Sequence, residues 1–297
     1  MNLDLKNQVP LDRTFSYLKV TDGVYRILVD RQYCNTELII GSEKAAVIDT
    51  GFGFGDLPAA VRRLTEKPLI LFNTHCHVDH VGGNAPFGLP VHMGHEDIDA
   101  ARNSNYAAFR VRSWDDRIAR LGPESVEGMN REEYLNRGAG ELIPCEEGER
   151  FDLGGLHLSV FAISGHSLGG RAYYLEEKKI LYTGDAVFAC TLCFGRGSAG
   201  RKKYIEGLKK LDALPFEHIL SGHYIEPFDH EFIRKAVQTA ETAVFETGIP
   251  LPNPIDPNAR VCFPPDAPPS PETIERIRQG DHGLDNKVWA LVLSSPE

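Results

Sequence analysis

The first third of the chain alternates short apolar runs with turn residues. Val24–Val29, Thr36–Ile40 and Ala45–Asp49 predict three strands, joined by turns at 30–35 and at Gly41-Ser42, which makes an antiparallel meander. Residues 1–20 carry no comparable pattern and read as an irregular lead-in. A glycine-rich stretch to Gly55 leads into a helix over about 56–65, with Asp56 as its N-cap. Leu69-Ile70-Leu71-Phe72 is too short and too branched for a helix and reads as a buried strand. After a short strand ending at Met93, helical spacing sets in over His95–Arg102 and Tyr106–Leu121, which marks 94–140 as a helical insertion. Strand patterns return at Leu156–Ile163, Arg171–Leu175 and Lys179–Thr183. A helix over Arg201–Leu214, a strand over Glu217–Leu220 and an amphipathic helix over Asp229–Thr247 follow. Prolines punctuate 249–271, which reads as an extended connector before a short helix and a last strand, Lys287–Leu293.

The strand at Leu69–Phe72 runs directly into His75, His77, Asp79 and His80. Burying several imidazoles and a carboxylate without compensation costs kilocalories for each group, and a divalent cation compensates them directly, so the cluster predicts a metal site. If the backbone stays extended, His75, His77 and Asp79 share one face and His80 points elsewhere, with a tight turn at Gly82-Gly83. Three later segments repeat one syntax, an apolar strand delivering one ligand-type residue into a glycine-containing loop: Ser164-Gly165-His166, Thr183-Gly184-Asp185 and Ser221-Gly222-His223. Glycine beside such a residue permits a sharp turn or close approach.

Composition narrows the partners. A chain of 297 residues with formal charge −10 and no basic excess is not built for nucleic acid or an anionic membrane. The N-terminus lacks a basic-then-apolar leader and no uncharged apolar run reaches membrane-spanning length, which implies a cytoplasmic protein. Six cysteines then read as free thiols, and the single Cys190-x-x-Cys193 is a weak redox signal.

The order His-x-His-x-Asp-His at 75–80, then His166, Asp185 and His223, resembles the metallo-beta-lactamase superfamily of metal-dependent hydrolases over roughly Val24–His223. The resemblance implies an α/β fold, a four-layer αβ/βα sandwich of two sheets with helices on both outer faces. On this reading residues 1–230 would form the catalytic unit, and the C-terminal helix, proline-rich connector and terminal strand of 231–297 would pack on it. It implies that His75, His77 and His166 hold one metal and Asp79, His80 and His223 a second, with Asp185 bridging. By the same resemblance Asp49 would be the carboxylate orienting a ligand imidazole. Two divalent ions, zinc first with iron or manganese open, would make a hydroxide from a shared water, and Asp79 would orient it and pass its proton on.

Within that family the chain fits a hydrolase of small-molecule esters, thioesters or lactones. Glyoxalase II-type thioesterase and beta-lactam hydrolase are the alternatives, and a non-catalytic metal-binding module is the reading from another class. Two features bear on an anionic substrate. The run Gly195–Lys203, with Arg196, places cations at a helix start where they oppose its dipole. Trp114, with the arginines of the insertion, and Tyr224 beside His223 are candidate substrate contacts, although a tryptophan packs in a core just as readily.

Overall fold

The computed structural model describes residues 3–29, 34–103, 106–195, 197–253, 256–280 and 288–296. Eight strands, β1 (Val9–Pro10), β2 (Phe15–Thr21), β3 (Val24–Val29), β4 (Thr36–Ile40), β5 (Ala45–Ile48), β6 (Leu69–Phe72), β7 (Val91–Met93) and β8 (Leu142–Pro144), form one sheet in chain order. Its first half is an antiparallel meander, and from β5 onward it is parallel. The switch needs crossovers. The first is helix α1 (Leu57–Arg62), capped by Asp56, whose side chain accepts from Ala59 N at 3.0 Å. A four-residue helix α2 (Val78–Val81) follows β6, and α3 (His95–Asn103), α4 (Tyr106–Leu121) and α5 (Arg131–Asn136) fill the insertion between β7 and β8.

A second sheet holds β9 (Arg150–Asp152), β10 (His157–Ala162), β11 (Arg171–Leu175) and β12 (Ile180–Gly184). A fifth strand, β14 (His218–Ser221), lies parallel to β12 at its edge. The two sheets face each other across one core, where Val24, Ile39, Ile48 and Phe72 meet Leu158, Val160, Tyr173 and Leu220. The first sheet's outer face packs on α1 and α3 through Val47, Val61, Leu71 and Ile98. The second sheet's outer face packs on α6 (Gly200–Asp212) and α7 (His230–Thr242) through Ala172, Leu181, Leu208 and Ile233. The result is the four-layer αβ/βα sandwich expected from the sequence.

Two local expectations change. The lead-in contains β2, seven residues paired with β3; Phe15 and Tyr17 pack into one hydrophobic cluster and Leu18 and Val20 into another, so both faces carry apolar residues and no simple apolar–polar alternation marks the strand. The proline-rich connector supplies β15 (Ile249–Pro250) and β16 (Arg260–Cys262). With β13 (Cys190–Cys193) and β17 (Ala290–Leu293) they form a third sheet in the order β13-β17-β16-β15, flanked by α8 (Pro271–Arg278). Proline is tolerated there because β15 is an edge strand. Cys190 and Cys193 are free thiols within β13.

The basic run also has a structural use. Arg201 donates from Nε to Ala240 O at 2.6 Å and from Nη2 to Glu241 O at 2.7 Å, so its charge meets the C-terminal carbonyls of α7. Lys203 pairs with Glu206 at 3.2 Å. Arg196 lies outside the described residues. No helix among the described residues is long and apolar enough to cross a membrane.

Candidate metal centre

All the singled-out imidazoles and carboxylates reach one end of the two facing sheets. β6 ends at Phe72, and after His75 and His77 the chain turns into α2, so the extended backbone expected for 75–79 is not what the chain adopts. The consequence falls on His80. Extension would aim it away from Asp79, whereas a helical turn brings both into one group, with His80 Nε2 at 3.5 Å from Asp79 Oδ2.

Two groups result. In the first, His77 Nδ1 stands 3.0 Å from His75 Nε2 and 2.9 Å from His166 Nε2, and Asp185 Oδ2 lies 4.0 Å from His75 Nε2 and 3.6 Å from His166 Nε2. In the second, Asp185 Oδ1 is 3.2 Å from His80 Nε2 and 3.1 Å from His223 Nε2, and Asp79 Oδ2 is 3.3 Å from His223 Nε2. Asp185 thus stands between the two groups: its Oδ1 faces His80 and His223, and its Oδ2 faces His75 and His166 while also lying 3.2 Å from His223 Nε2. His75, His80, His166 and Asp185 are buried, whereas Asp79 and His223 are half-buried and His77 is exposed, which leaves one side of the centre open.

The hydrogen bonds behind the rings fix which nitrogen faces inward. Thr74 Oγ1 donates to Asp49 Oδ2 at 2.8 Å and so accepts from His75 Nδ1 at 3.0 Å. His166 Nδ1 donates to Leu192 O at 2.8 Å, and His80 Nδ1 to Asp49 Oδ2 at 2.7 Å. Each ring is therefore left with an Nε2 lone pair aimed at the centre, the form in which imidazole binds metal. Burial pushes His75 below the usual histidine range and His166 down to about 4, which keeps them neutral.

Burial also opposes charge on His80 and His223, but there it is outweighed. Cys34, Asp185, Asp79 and Asp49 raise His80, and Asp185 and Asp79 raise His223, so without an ion these rings draw a proton. A divalent cation would take that proton's place. Two further observations fit such an ion. Asp185 Oδ1 is buried without a hydrogen-bond partner. A Cβ added at Gly222 would come within 2.8 Å of both Asp185 Oδ1 and His80 Cε1, so glycine keeps this space clear. The two sets, His75-His77-His166-Asp185 and Asp79-His80-Asp185-His223, are compatible with divalent metal binding.

Asp49 sits at the end of β5 with its backbone at φ +59, and it also accepts from Thr74 N at 2.8 Å. The sequence reading missed the rest of the framework. Asp97, in the first turn of α3, accepts from Cys76 N at 3.1 Å and from Gly169 N at 2.7 Å, clipping the His75–His77 loop to the His166 loop. Asn73 donates to His80 O at 2.8 Å, with Asn84 and Thr50 completing that network. Nothing at sequence level marks these residues beyond their nearness to the histidines.

The candidate substrate contacts fare differently. Trp114 is buried against Phe54 and Tyr134, with ring centroids 6.3 and 5.3 Å away, so it packs the insertion and does not reach the centre. Its ring lies on the inward side of α4, where burying the largest apolar side chain is most favourable. Tyr224 packs against Phe188 and Phe228, both at 5.4 Å, and Phe188 in turn lies 5.8 Å from the His223 ring. Beneath them the Arg26 guanidinium, paired with Glu37 Oε1, donates to Ser221 O at 2.9 Å and to the carbonyl of Tyr224, holding the His223 loop from below.

The chain is 26% identical over 231 residues to the acyl-coenzyme A thioesterase MBLAC2 of Homo sapiens, an alignment covering 71% of this chain and 81% of that protein. It is 28% identical over 177 residues to the hydroxyacylglutathione hydrolase GloC of Haemophilus influenzae, covering 58% and 72%. A protein solved in a di-iron-bound form superposes with a TM-score of 0.53 at 25% identity, covering 70% of this chain and 95% of that one. The sequence model of the metallo-beta-lactamase superfamily matches residues 29–223, a span that includes every residue of the two candidate sets, and the chain belongs to that superfamily.

Proposed function

We propose that this chain is a metal-dependent hydrolase of small-molecule thioesters, working with two divalent ions. The observation that carries this reading is Asp185, whose carboxylate stands between two sets of imidazoles and lies within 4.0 Å of a ring nitrogen in each. His75, His77 and His166 would hold one ion and Asp79, His80 and His223 the other, with Asp185 shared. Imidazole with carboxylate suits zinc and also iron, which the di-iron-bound relative carries. When bound, such a pair lowers the pKa of a shared water toward neutrality and polarises the carbonyl under attack. The thioester bond class comes from the two relatives, one acting on acyl-coenzyme A and the other on an acylglutathione, both joined through sulfur.

The chain's own groups divide the remaining work. Hydrolysis adds a water oxygen to the acyl carbon and breaks the carbon–sulfur bond, so one proton must leave the water and the sulfur must depart with the electron pair. Asp79 is the carboxylate placed to hold that proton: it is half-buried, and its Oδ2 lies 3.3 Å from His223 Nε2. Asp49 and Thr74 hold the rings of His80 and His75 and touch nothing that reacts.

The test is turnover of a panel of thioesters, esters, lactones and a beta-lactam by protein loaded with zinc, iron or manganese. Thioesters should be cleaved fastest, and cleavage should stop with a chelator and return with metal. Failure of every substrate at two ions per chain would leave a non-catalytic metal-binding module as the better reading.

A further inference from the structure

A small cavity adjoins the metal centre, between the turn that carries Asp185 and the loop that carries His166. His75, His166 and Asp185, three of the four residues of the first candidate set, line it, and so do Ser167 and Thr183. It offers about 10 Å³ of room to the centre of a water molecule, close to the least that admits one. Thr183 stands in β12 two residues after Leu181 and on the same face, toward Ile163, which also lines the cavity. Thr183 is 1% exposed, and its Oγ1 has no hydrogen-bond partner among the described residues. Ser167 is equally buried beside the Asp97 carboxylate, and a hydroxyl that donates there keeps two lone pairs for a further donor. Gly170 closes the cavity without a side chain; a Cβ there would come within 2.4 Å of Ile163 O and 3.4 Å of Ser167 Oγ.

Leaving an interior hydroxyl unpartnered is costly, and a cavity with polar walls draws water where an apolar one stays dry. We infer that this cavity is a hydration site holding one water between Thr183 and Ser167, and that Thr183 is thereby a positioning residue for the first ion. The inference rests on the two-ion reading above. The water would accept from Thr183 Oγ1 and donate to Ser167 Oγ. Thr183 O accepts from Ala186 N at 3.0 Å, closing the turn that presents Asp185, and Ser167 follows His166 directly in the chain. A water bonded to both hydroxyls therefore braces that turn against the His166 loop. The two ligands so braced, Asp185 Oδ2 and His166 Nε2, stand 3.6 Å apart in the first set. Thr183 acts on the ion through the placement of these two ligands.

High-resolution crystals of the zinc-loaded protein should show one ordered water within hydrogen-bond distance of both hydroxyls. Thr183→Val keeps the shape of the side chain and removes its hydroxyl. It should lose the water and weaken the first ion by about ten-fold in chelator competition, with anomalous scattering at partial zinc loading showing the first set depleted and the second filled. Thr183→Ser keeps the hydroxyl and should keep both the water and the first ion. Ser167→Ala removes the other anchor and should behave as Thr183→Val does, so the test stands even if the valine variant does not fold. A cavity without water density in the unmodified protein, a first ion held as tightly after loss of either hydroxyl, or two ions weakened alike overturns the inference and leaves the two-ion reading intact. Fewer than two ions per unmodified chain in excess zinc overturns the two-ion reading itself, while the water density still decides the hydration site.

Discussion

Asp49 Oδ2 lies 2.7 Å from His80 Nδ1 across 31 residues of sequence, on a backbone held at φ +59. A non-glycine residue in that region is uncommon and costs energy unless its surroundings hold it there. Here Thr74 N and Thr74 Oγ1 both donate to the same carboxylate at 2.8 Å. The strained turn delivers one acid to both the His75 and the His80 supports.

Asp49→Asn keeps the size of the side chain and removes its charge. The variant should weaken binding of the second ion by about 10–100-fold, as loss of a partner behind a ligand imidazole does elsewhere. Metal titration followed by dialysis reads this directly. Two tightly held ions in the variant would show that Asp49 does not act through His80.

Removing a ligand should empty one set or both. His77→Ala is expected to retain fewer than two ions per chain, and Asp185→Ala, which touches both groups, should retain fewest. Elemental analysis settles the count, and turnover should vanish in both variants. Chelation of the unmodified protein should also lower Tm, because ions that bind only the folded chain stabilise it by mass action.

Arg26 and Glu37 form a buried ion pair, with side chains almost fully excluded from solvent. Arg26→Met strands the Glu37 carboxylate and the carbonyls of Ser221 and Ile225, and should cost about 3–5 kcal/mol in urea unfolding. Arg150 pairs with Glu176 at 2.9 Å but at the surface, so Arg150→Ala should cost under about 1 kcal/mol. Equal losses in the two variants would mean that burial does not set the difference.

Trp114→Ala leaves a hole between Phe54 and Tyr134 and should destabilise the protein by about 3–5 kcal/mol, with metal content unchanged. A loss of substrate affinity without a loss of stability would return Trp114 to the role of a substrate contact.

Gly82 is not needed for a left-handed turn, since it caps α2 at φ −61. A Cβ there would come within 2.4 Å of Phe52 O and 2.5 Å of Val78 O, both backbone atoms. Gly82→Ala should therefore push the Asp49–Phe54 loop away from α2 and lower both stability and metal affinity. Unfolding and metal titration matching the unmodified protein would show that the two loops can part freely.

The sequence by itself determined which groups could bind metal. The density of His75, His77, Asp79 and His80, and the glycine-flanked His166, Asp185 and His223, follow from residue type and spacing, which local patterns record. The α/β class and most elements of the two main sheets were legible for the same reason, since burying one face imposes a period. Tertiary structure alone decided what depends on distant partners. Whether His80 joins Asp79 turned on one helical turn after Phe72, and β2 became a strand through pairing with β3 and burial of both its faces. Asp97, Thr74 and the Leu192 carbonyl hold the histidine loops through bonds that spacing cannot reveal. Trp114 and Arg201 went to the protein's own interior and helix ends because burial and carbonyl pairing were available there, and only the packed chain shows that.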